Sequence, residues 1–190
     1  MRITGGKARG IPLKTLPIKT LRPATDRMRE SVFSSLGETI VGKTVLDLFA
    51  GSGAYGLESL SRGARLATFV ERSPRQAASL QANLIAVTQS LGQKQSSART
   101  YTADVFKWEP SGVDSFDLIF ADPPYAILPK QADLLFMQTH TWLSPHPTSR
   151  LVLEAPGEFD YVPSGWDLQR RLGKGSKRGE PTVLIYSPAL

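Results

Sequence analysis

Cysteine is absent from this chain of 190 residues, and histidine is scarce, His140 and His146 being the only two. The first absence excludes a disulfide framework, a thiolate nucleophile and thiolate metal sites. The second leaves no imidazole cluster, so no metal is expected. Long hydrophobic runs are missing as well: none approaches the ~20 residues that a membrane-spanning helix needs, and no membrane segment is expected. The start, Met1 to Gly10, is charged but has neither the apolar core nor the small-residue cleavage site of a secretory signal, which predicts a cytoplasmic protein. With 41% hydrophobic and 21% charged residues, the chain has the balance of a globular protein and the length for one core and little more. A single domain with a terminal extension is expected.

The net charge of +6 is unevenly spread. Residues 1–30 hold eight Lys or Arg against two acids, residues 31–169 ten against fourteen, and residues 170–190 five against one. A mildly acidic body with two basic ends suits a polyanion, whose binding is driven by phosphate neutralisation and counterion release. General solubility accounts for the same charge, so the asymmetry indicates nucleic acid without deciding for it.

From residue 44 onward, short apolar or β-branched runs alternate with helical patterns, the signature of a doubly wound α/β fold with a mostly parallel sheet. Strands are expected at 44–49, 66–71, 99–103, 117–121 and 150–154, and helices at 27–36, 54–62, 74–91 and 130–142. In the third helix Leu80, Leu84, Val87 and Leu91 are spaced to share one face. Segments 166–172 and 182–187, joined by the basic loop 173–179, predict an antiparallel C-terminal hairpin, and 89–97 reads as a polar loop. The first thirty residues set Ile3, Ile11, Leu13, Leu16 and Ile18 among Gly, Lys, Arg and Pro, which reads as a basic hairpin or arm outside the sheet. The expected division is residues 1–25 for this arm and 26–190 for the main domain. Thr25 or Asp26 is placed to cap the helix that follows, with Arg29 facing the turn.

Two turns carry the chemistry. Asp47-Leu-Phe-Ala-Gly-Ser-Gly53 ends a strand and opens a helix, where glycines allow a tight turn and close approach of a ligand to the backbone. Alone, such a turn fits NAD, FAD or S-adenosylmethionine equally. Asp47 on the strand favours the last, because a carboxylate suits a cationic amino-acid tail and repels a pyrophosphate. Glu71, ending the second strand, is placed to accept from ribose hydroxyls; Asp104, ending the third, can accept from an adenine amine while Val105 packs on the ring. The bland alternatives are a surface ion pair for Glu71 and helix capping for Asp104. The candidate cofactor contacts are therefore Asp47, Phe49, Ala50, Gly51, Ser52, Gly53, Glu71, Arg72, Asp104, Val105 and Asp122.

The second turn, Asp122-Pro123-Pro124-Tyr125, follows the apolar run 117–121. An exocyclic amine conjugated to a base is a poor nucleophile, since its lone pair is delocalised into the ring. Asp122 and the Pro123 carbonyl, both accepting from that amine, would localise the pair and stabilise the positive charge that develops. The two prolines hold the carbonyl rigid, and Tyr125 offers a flat surface on which an extruded base can stack. A turn after a buried strand uses the same residue types. Together with the glycine turn and two further acids at strand ends, the motif predicts methyl transfer to an exocyclic amine of a nucleic-acid base.

The chain resembles the bacterial 16S rRNA guanine-N2 methyltransferases of the RsmD type, over most of its length. The resemblance is carried by Arg2-Ile-Thr-Gly-Gly6, Arg9-Gly10, Leu21-Arg-Pro-Ala-Thr-Asp-Arg27 with Arg29-Glu30, the glycine turn continuing to Gly63, Phe69-Val-Glu71 and Asp122-Pro-Pro-Tyr125. It implies a seven-stranded methyltransferase sheet, S-adenosylmethionine as cofactor, and as substrate a guanine of 16S rRNA in an assembled or partly assembled small subunit. It also implies that an N-terminal basic hairpin, here with Lys7, Arg9 and Lys14, lies near the RNA, and that Arg22, Thr25 and Arg27 line the junction between cofactor and RNA. Arg29 and the basic loop residues Lys174, Lys177 and Arg178 complete the candidate RNA contacts, in a protein expected to be monomeric. Two departures are Tyr55, where similar sequences more often have Leu, and the strongly basic loop 173–179; neither is expected to touch the chemistry.

Three rival readings remain open at the level of sequence. An adenine-N6 methyltransferase acting on DNA or RNA could use the same Asp122 and Tyr125, although residues 126–190 leave little room for a separate recognition domain. A non-catalytic RNA-binding assembly factor has no evident need of Asp122, Tyr125 and Glu71. A dinucleotide oxidoreductase is disfavoured by Asp47 and by the lack of a proton donor beside the glycine turn.

Overall fold

The computed structural model describes residues 1–16, 25–92, 97–111, 115–173 and 178–189. Seven strands, β1 (Thr44–Leu48), β2 (Leu66–Glu71), β3 (Ala98–Thr102), β4 (Leu118–Ala121), β5 (Arg150–Pro156), β6 (Trp166–Leu172) and β7 (Pro181–Pro188), form one sheet in the order β3-β2-β1-β4-β5-β7-β6. Strands β1 to β5 pair in parallel, while β7 runs antiparallel between β5 and β6. Four helices accompany them: α1 (Asp26–Leu36), α2 (Ala54–Ser61), α3 (Pro74–Ser90) and α4 (Leu128–Trp142). The expected α/β sheet with its antiparallel C-terminal hairpin is observed.

The central strands read as nearly continuous apolar runs because both faces are covered. Val45 packs into the core on the side of α1, α2 and α3, and its neighbour Leu46 into the core on the side of α4. Side-chain alternation along a strand thus feeds two separate cores. Ser73 caps α3 by accepting from the Gln76 amide, with Pro74 in the first turn, where its missing N–H costs nothing. Leu80, Leu84 and Val87 are buried on the expected face and Leu91 packs against it.

Element ends differ from expectation by one or two residues, for local reasons. Strand β1 stops before Phe49 because that residue takes a φ of 56°, which no strand accommodates. Helix α4 begins at Leu128 rather than Lys130, with Pro129 in its first turn. The polar stretch 89–97 begins inside the last turn of α3, and its residues 93–96 lie outside the described residues.

The N-terminal residues fold back as a short hairpin. The Ile3 amide donates to Ile11 O and the Gly10 amide to Ile3 O, both at 2.9 Å, with Arg2 and Pro12 paired antiparallel. Ile3, Ala8 and Leu13 enter the core. The fully buried Glu58 of α2 accepts from both the amide and the hydroxyl of Thr4 at 2.8 Å, which fixes the hairpin against the sheet's covering helices. Among the described residues no helix is long and apolar enough to cross a membrane, and no group of three or more His, Cys, Asp or Glu is arranged to hold a metal ion.

Candidate active site

The winding of the sheet reverses between β1 and β4, and a cavity of about 590 Å³ opens at the C-terminal ends of these strands. This is where open α/β sheets place their ligands. Asp47, on β1, is almost fully buried, and its Oδ2 accepts from the Gly56 amide at 2.9 Å. Burial pushes its carboxyl well above the usual range, and the nearby Asp122 and Glu71 carboxylates push it further. The turn that follows is strained at Phe49, the one described residue other than glycine with positive φ. At Gly51, with φ 54°, a Cβ would lie 3.0 Å from the Gln76 side chain. At Gly53, with φ 78°, one would lie 2.2 Å from Leu80. The turn therefore requires glycine at both positions, once for conformation and once for packing.

Of the expected cofactor contacts, Asp47, Phe49, Ala50, Gly51, Ser52, Glu71, Arg72, Asp104, Val105 and Asp122 all line this cavity. Gly53 does not; it is buried behind the wall as the residue that caps α2. Glu71 forms no ion pair among the described residues but accepts from the Gly51 amide at 2.9 Å and the Ser73 amide at 2.7 Å, so it also braces the glycine turn. Asp104 caps the short 3₁₀ turn Val105–Lys107 by accepting from the Phe106 amide at 3.0 Å, which leaves its other oxygen for the cavity. Met1, Thr15 and Leu16 add a wall from the N-terminal segment. That wall is held by Asn83 of α3, whose amide group bonds both backbone groups of Lys14 and the Ser52 carbonyl, at 2.7 to 2.9 Å.

Asp122 follows β4 directly, and its Oδ1 is buried without a hydrogen-bond partner. Burial raises its carboxyl well above the ordinary aspartate range. Pro124 lines the cavity, Pro123 is buried, and Tyr125 opens the 3₁₀ turn Tyr125–Ile127 half-buried beside the cavity rather than in its wall. Sequence reasoning missed the neighbour of this turn. Ala121 pairs with Leu153, so the next residues, Asp122 just past β4 and Glu154 within β5, stand side by side. Glu154 is buried, and the Tyr55 hydroxyl donates to its Oε2 at 3.3 Å while the Tyr125 hydroxyl faces the same carboxyl. Burial, then the Asp122 charge, pushes Glu154 upward. The signal available in the sequence was an acid closing an apolar strand, as in β1, β2 and β4.

Two expectations are corrected here. Tyr55 does reach the candidate site: it lines the cavity, stacks on Phe120 with 4.8 Å between ring centroids, and bonds Glu154. Arg29 does not face an RNA. It is fully buried, with its guanidinium 2.9 Å from Asp26 and donating to the Arg2 carbonyl, and so ties α1 to the N-terminal hairpin. A helix position facing the core overrode the general preference of arginine for the surface. Thr25 is exposed and serves as the α1 cap, accepting from the Met28 amide. Lys7, Arg9, Lys14 and Arg27 are exposed, as is Arg178, 3.9 Å from Glu158. Arg22, Lys174 and Lys177 lie outside the described residues.

A family model described as Conserved hypothetical protein 95 matches residues 1–183. The chain belongs to this family. Ribosomal RNA small subunit methyltransferase D of Escherichia coli (strain K12) is 32% identical over 170 residues, covering 90% of this chain and 83% of that protein. The protein of the same name from Haemophilus influenzae is 31% identical over 176 residues, covering 92% of this chain and 89% of that one. Among solved structures, a putative methyltransferase, yhhF, from Escherichia coli superposes with a TM-score of 0.78 at 32% identity, covering 99% of this chain and 97% of that one. The resemblance to RsmD-type enzymes drawn from the motifs is thus borne out over most of the chain, and so is the methyltransferase fold.

Proposed function

We propose that this protein transfers the methyl group of S-adenosylmethionine to the exocyclic N2 amine of a guanine in 16S rRNA, within an assembled or partly assembled small subunit. The observation that carries the reading is Asp122: a buried carboxyl oxygen without a partner, at the switch point of the sheet, on the wall of the cavity that the glycine turn also lines. The names of the curated relatives supply the substrate class. Four carboxylates, Asp47, Glu71, Asp104 and Asp122, share the wall, a donor set that attracts a cation and repels a pyrophosphate.

The residues fit the cofactor. Asp47 and the backbone of 49–52 would hold its amino-acid end, Glu71 its ribose, and Asp104 with Val105 its adenine. The cofactor supplies a methyl group already activated on a sulfonium. Asp122 and the Pro123 carbonyl accept from the guanine amine and localise its lone pair, and Tyr125 stacks on the extruded base, which offsets about 1–3 kcal/mol of the cost of unstacking it. Alignment of amine and methyl then accounts for most of the rate. Lys7, Arg9, Lys14, Arg22, Thr25, Arg27, Lys174, Lys177 and Arg178 are the proposed RNA contacts, on a cytoplasmic monomer.

The test is transfer of tritium from labelled S-adenosylmethionine to undermethylated small subunits, followed by nucleoside analysis, for the protein and its Asp122→Ala variant. Label in N2-methylguanosine, reduced about 100-fold or more in the variant while cofactor binding persists, is expected. Label in adenosine would move the assignment to an adenine-N6 enzyme. Particle binding without label would leave an assembly factor, and near wild-type transfer by the variant would refute the role of Asp122.

A further inference from the structure

The strand register sets Glu154 beside Asp122, and each carries a buried carboxyl oxygen with no hydrogen-bond partner, Oε1 and Oδ1. Adjacent parallel strands lie only ~4.8 Å apart, and two desolvated carboxylates at such a distance repel strongly. One of them is relieved of charge by keeping a proton. Glu154 is the less accessible of the two: it is 2% exposed, whereas Asp122 is partly open to the cavity. The groups facing it are Tyr55 from α2, Tyr125 from the turn after β4, Arg29 from α1, and Asp122 itself. Tyr55 holds Oε2 at 3.3 Å, which leaves Oε1 as the free oxygen.

Resting on the methyl-transfer reading above, we infer that Glu154, oriented by Tyr55, is a positioning residue that carries the proton of the Asp122–Glu154 pair, so that Asp122 meets the guanine amine as the single anion of that pair. The step then balances. The N2 lone pair forms a bond to the methyl carbon as the carbon–sulfur bond breaks, and the electrons of that bond remain on sulfur. N2, now cationic, gives one of its two protons to Asp122, which releases it when product leaves. Glu154 neither gains nor loses a proton in the cycle; were it ionised, it would crowd Asp122 with a second charge. Tyr55 thereby acquires a role that its usual replacement, Leu, cannot fill.

The direction of the titration agrees with this order. Burial raises both carboxyls, and the Asp122 charge raises Glu154 further, so Asp122 ionises first as pH rises. The pH profile of kcat is therefore expected to have an acidic limb from Asp122, displaced upward toward neutrality, and a separate alkaline limb from Glu154; both belong to the coupled pair.

The experiment measures kcat and KM against pH with undermethylated small subunits, scoring N2-methylguanosine, for wild type, Glu154→Ala, Glu154→Gln and Tyr55→Phe, each shown to bind S-adenosylhomocysteine. Glu154→Ala is expected to lower kcat about tenfold or more with little change in KM, and to move the acidic limb down as water reaches Asp122. Glu154→Gln, a neutral stand-in for the protonated acid, should restore most of that kcat and lack the alkaline limb. Tyr55→Phe removes a hydrogen bond that favours ionised Glu154, so its alkaline limb should move up. A Gln variant as impaired as Ala, an alkaline limb that survives in the Gln variant, or a limb unmoved in Tyr55→Phe would each overturn the inference while wild type still methylates guanine. Wild type that places no label on guanine N2 overturns the underlying reading and this inference with it.

Discussion

At the scale of single residues, the site is made of acids held where water is scarce. Burial raises Asp47, Asp122 and Glu154, so the folded protein holds protons that the unfolded chain has released. Their contribution to stability is intact below the ordinary carboxylate range, about 4, and is lost as pH rises through that range toward the raised values. The ligand-free protein is expected to lose thermal stability between about pH 5 and 8, and S-adenosylmethionine, a cation, to reverse much of the loss. Calorimetry with and without the ligand would show this; a melting temperature flat across that window would contradict it. Arg29 makes a second residue-scale prediction. Arg29→Ala is expected to cost about 1–3 kcal/mol in urea unfolding, because it removes the bonds that a buried guanidinium makes to the partly exposed Asp26 and to the Arg2 carbonyl. Unchanged stability with weakened particle binding would return Arg29 to the RNA surface.

At the scale of elements, helix packing controls the cavity. Helix α2 lies close enough to β2 that a Cβ at Gly56 would stand 2.3 Å from a Phe69 ring carbon. Gly56→Ala should therefore destabilise by about 1–3 kcal/mol, read from denaturant midpoints at constant m. Helix α3 contributes Asn83, which joins the Lys14 backbone to Ser52. Asn83→Ala leaves those backbone groups unmatched, at about 1–3 kcal/mol. It also frees the wall formed by Met1, Thr15 and Leu16, so titration calorimetry should show weaker cofactor binding, and hydrogen exchange should show faster exchange in residues 1–16. Cofactor affinity equal to wild type would show that this wall does not serve the site. The elements themselves were legible because their periods are distinct: Leu80, Leu84 and Val87 recur as a helix face, and strands β1, β2, β4 and β5 stay apolar on both faces. Their ends were less so, since a φ of 56° at Phe49 follows from the turn it serves and not from its side chain.

At the scale of the whole molecule, charge is distributed for a polyanion. Eight cations in the first thirty residues and five in the last twenty-one flank an acidic body that contains the carboxylate-lined cavity. With Lys7, Arg9 and Lys14 replaced together by Ala, binding to small subunits should weaken, and the slope of log affinity against log salt should flatten by about 2–3. A weaker affinity with an unchanged slope would mean that these residues do not meet phosphate. Cofactor affinity should stay near that of the parent protein, because their side chains are exposed outside the cavity wall.

The sequence by itself determined the order of elements, the two turns that line the cavity and the acids near the strand ends, because hydrophobic period, glycine placement and the Asp-Pro-Pro-Tyr run are local properties of a chain. Asp47, Glu71, Asp104 and Asp122, which the structure brings to one cavity wall, were legible this way, each within two residues of a strand's end. Only the tertiary structure decided which residues stand behind them. Glu154 lies 32 positions from Asp122 and 99 from Tyr55, and nothing local distinguishes it from any acid at the end of a strand. Pairing of β4 with β5 brings it to Asp122, and the packing of α2 over the sheet brings it Tyr55. Arg29 was misjudged for the same reason: its charge is written in the sequence, but its burial is set by the hairpin that folds across α1. Long-range register and burial, which set the charge and contacts of a side chain, are properties of the assembled fold.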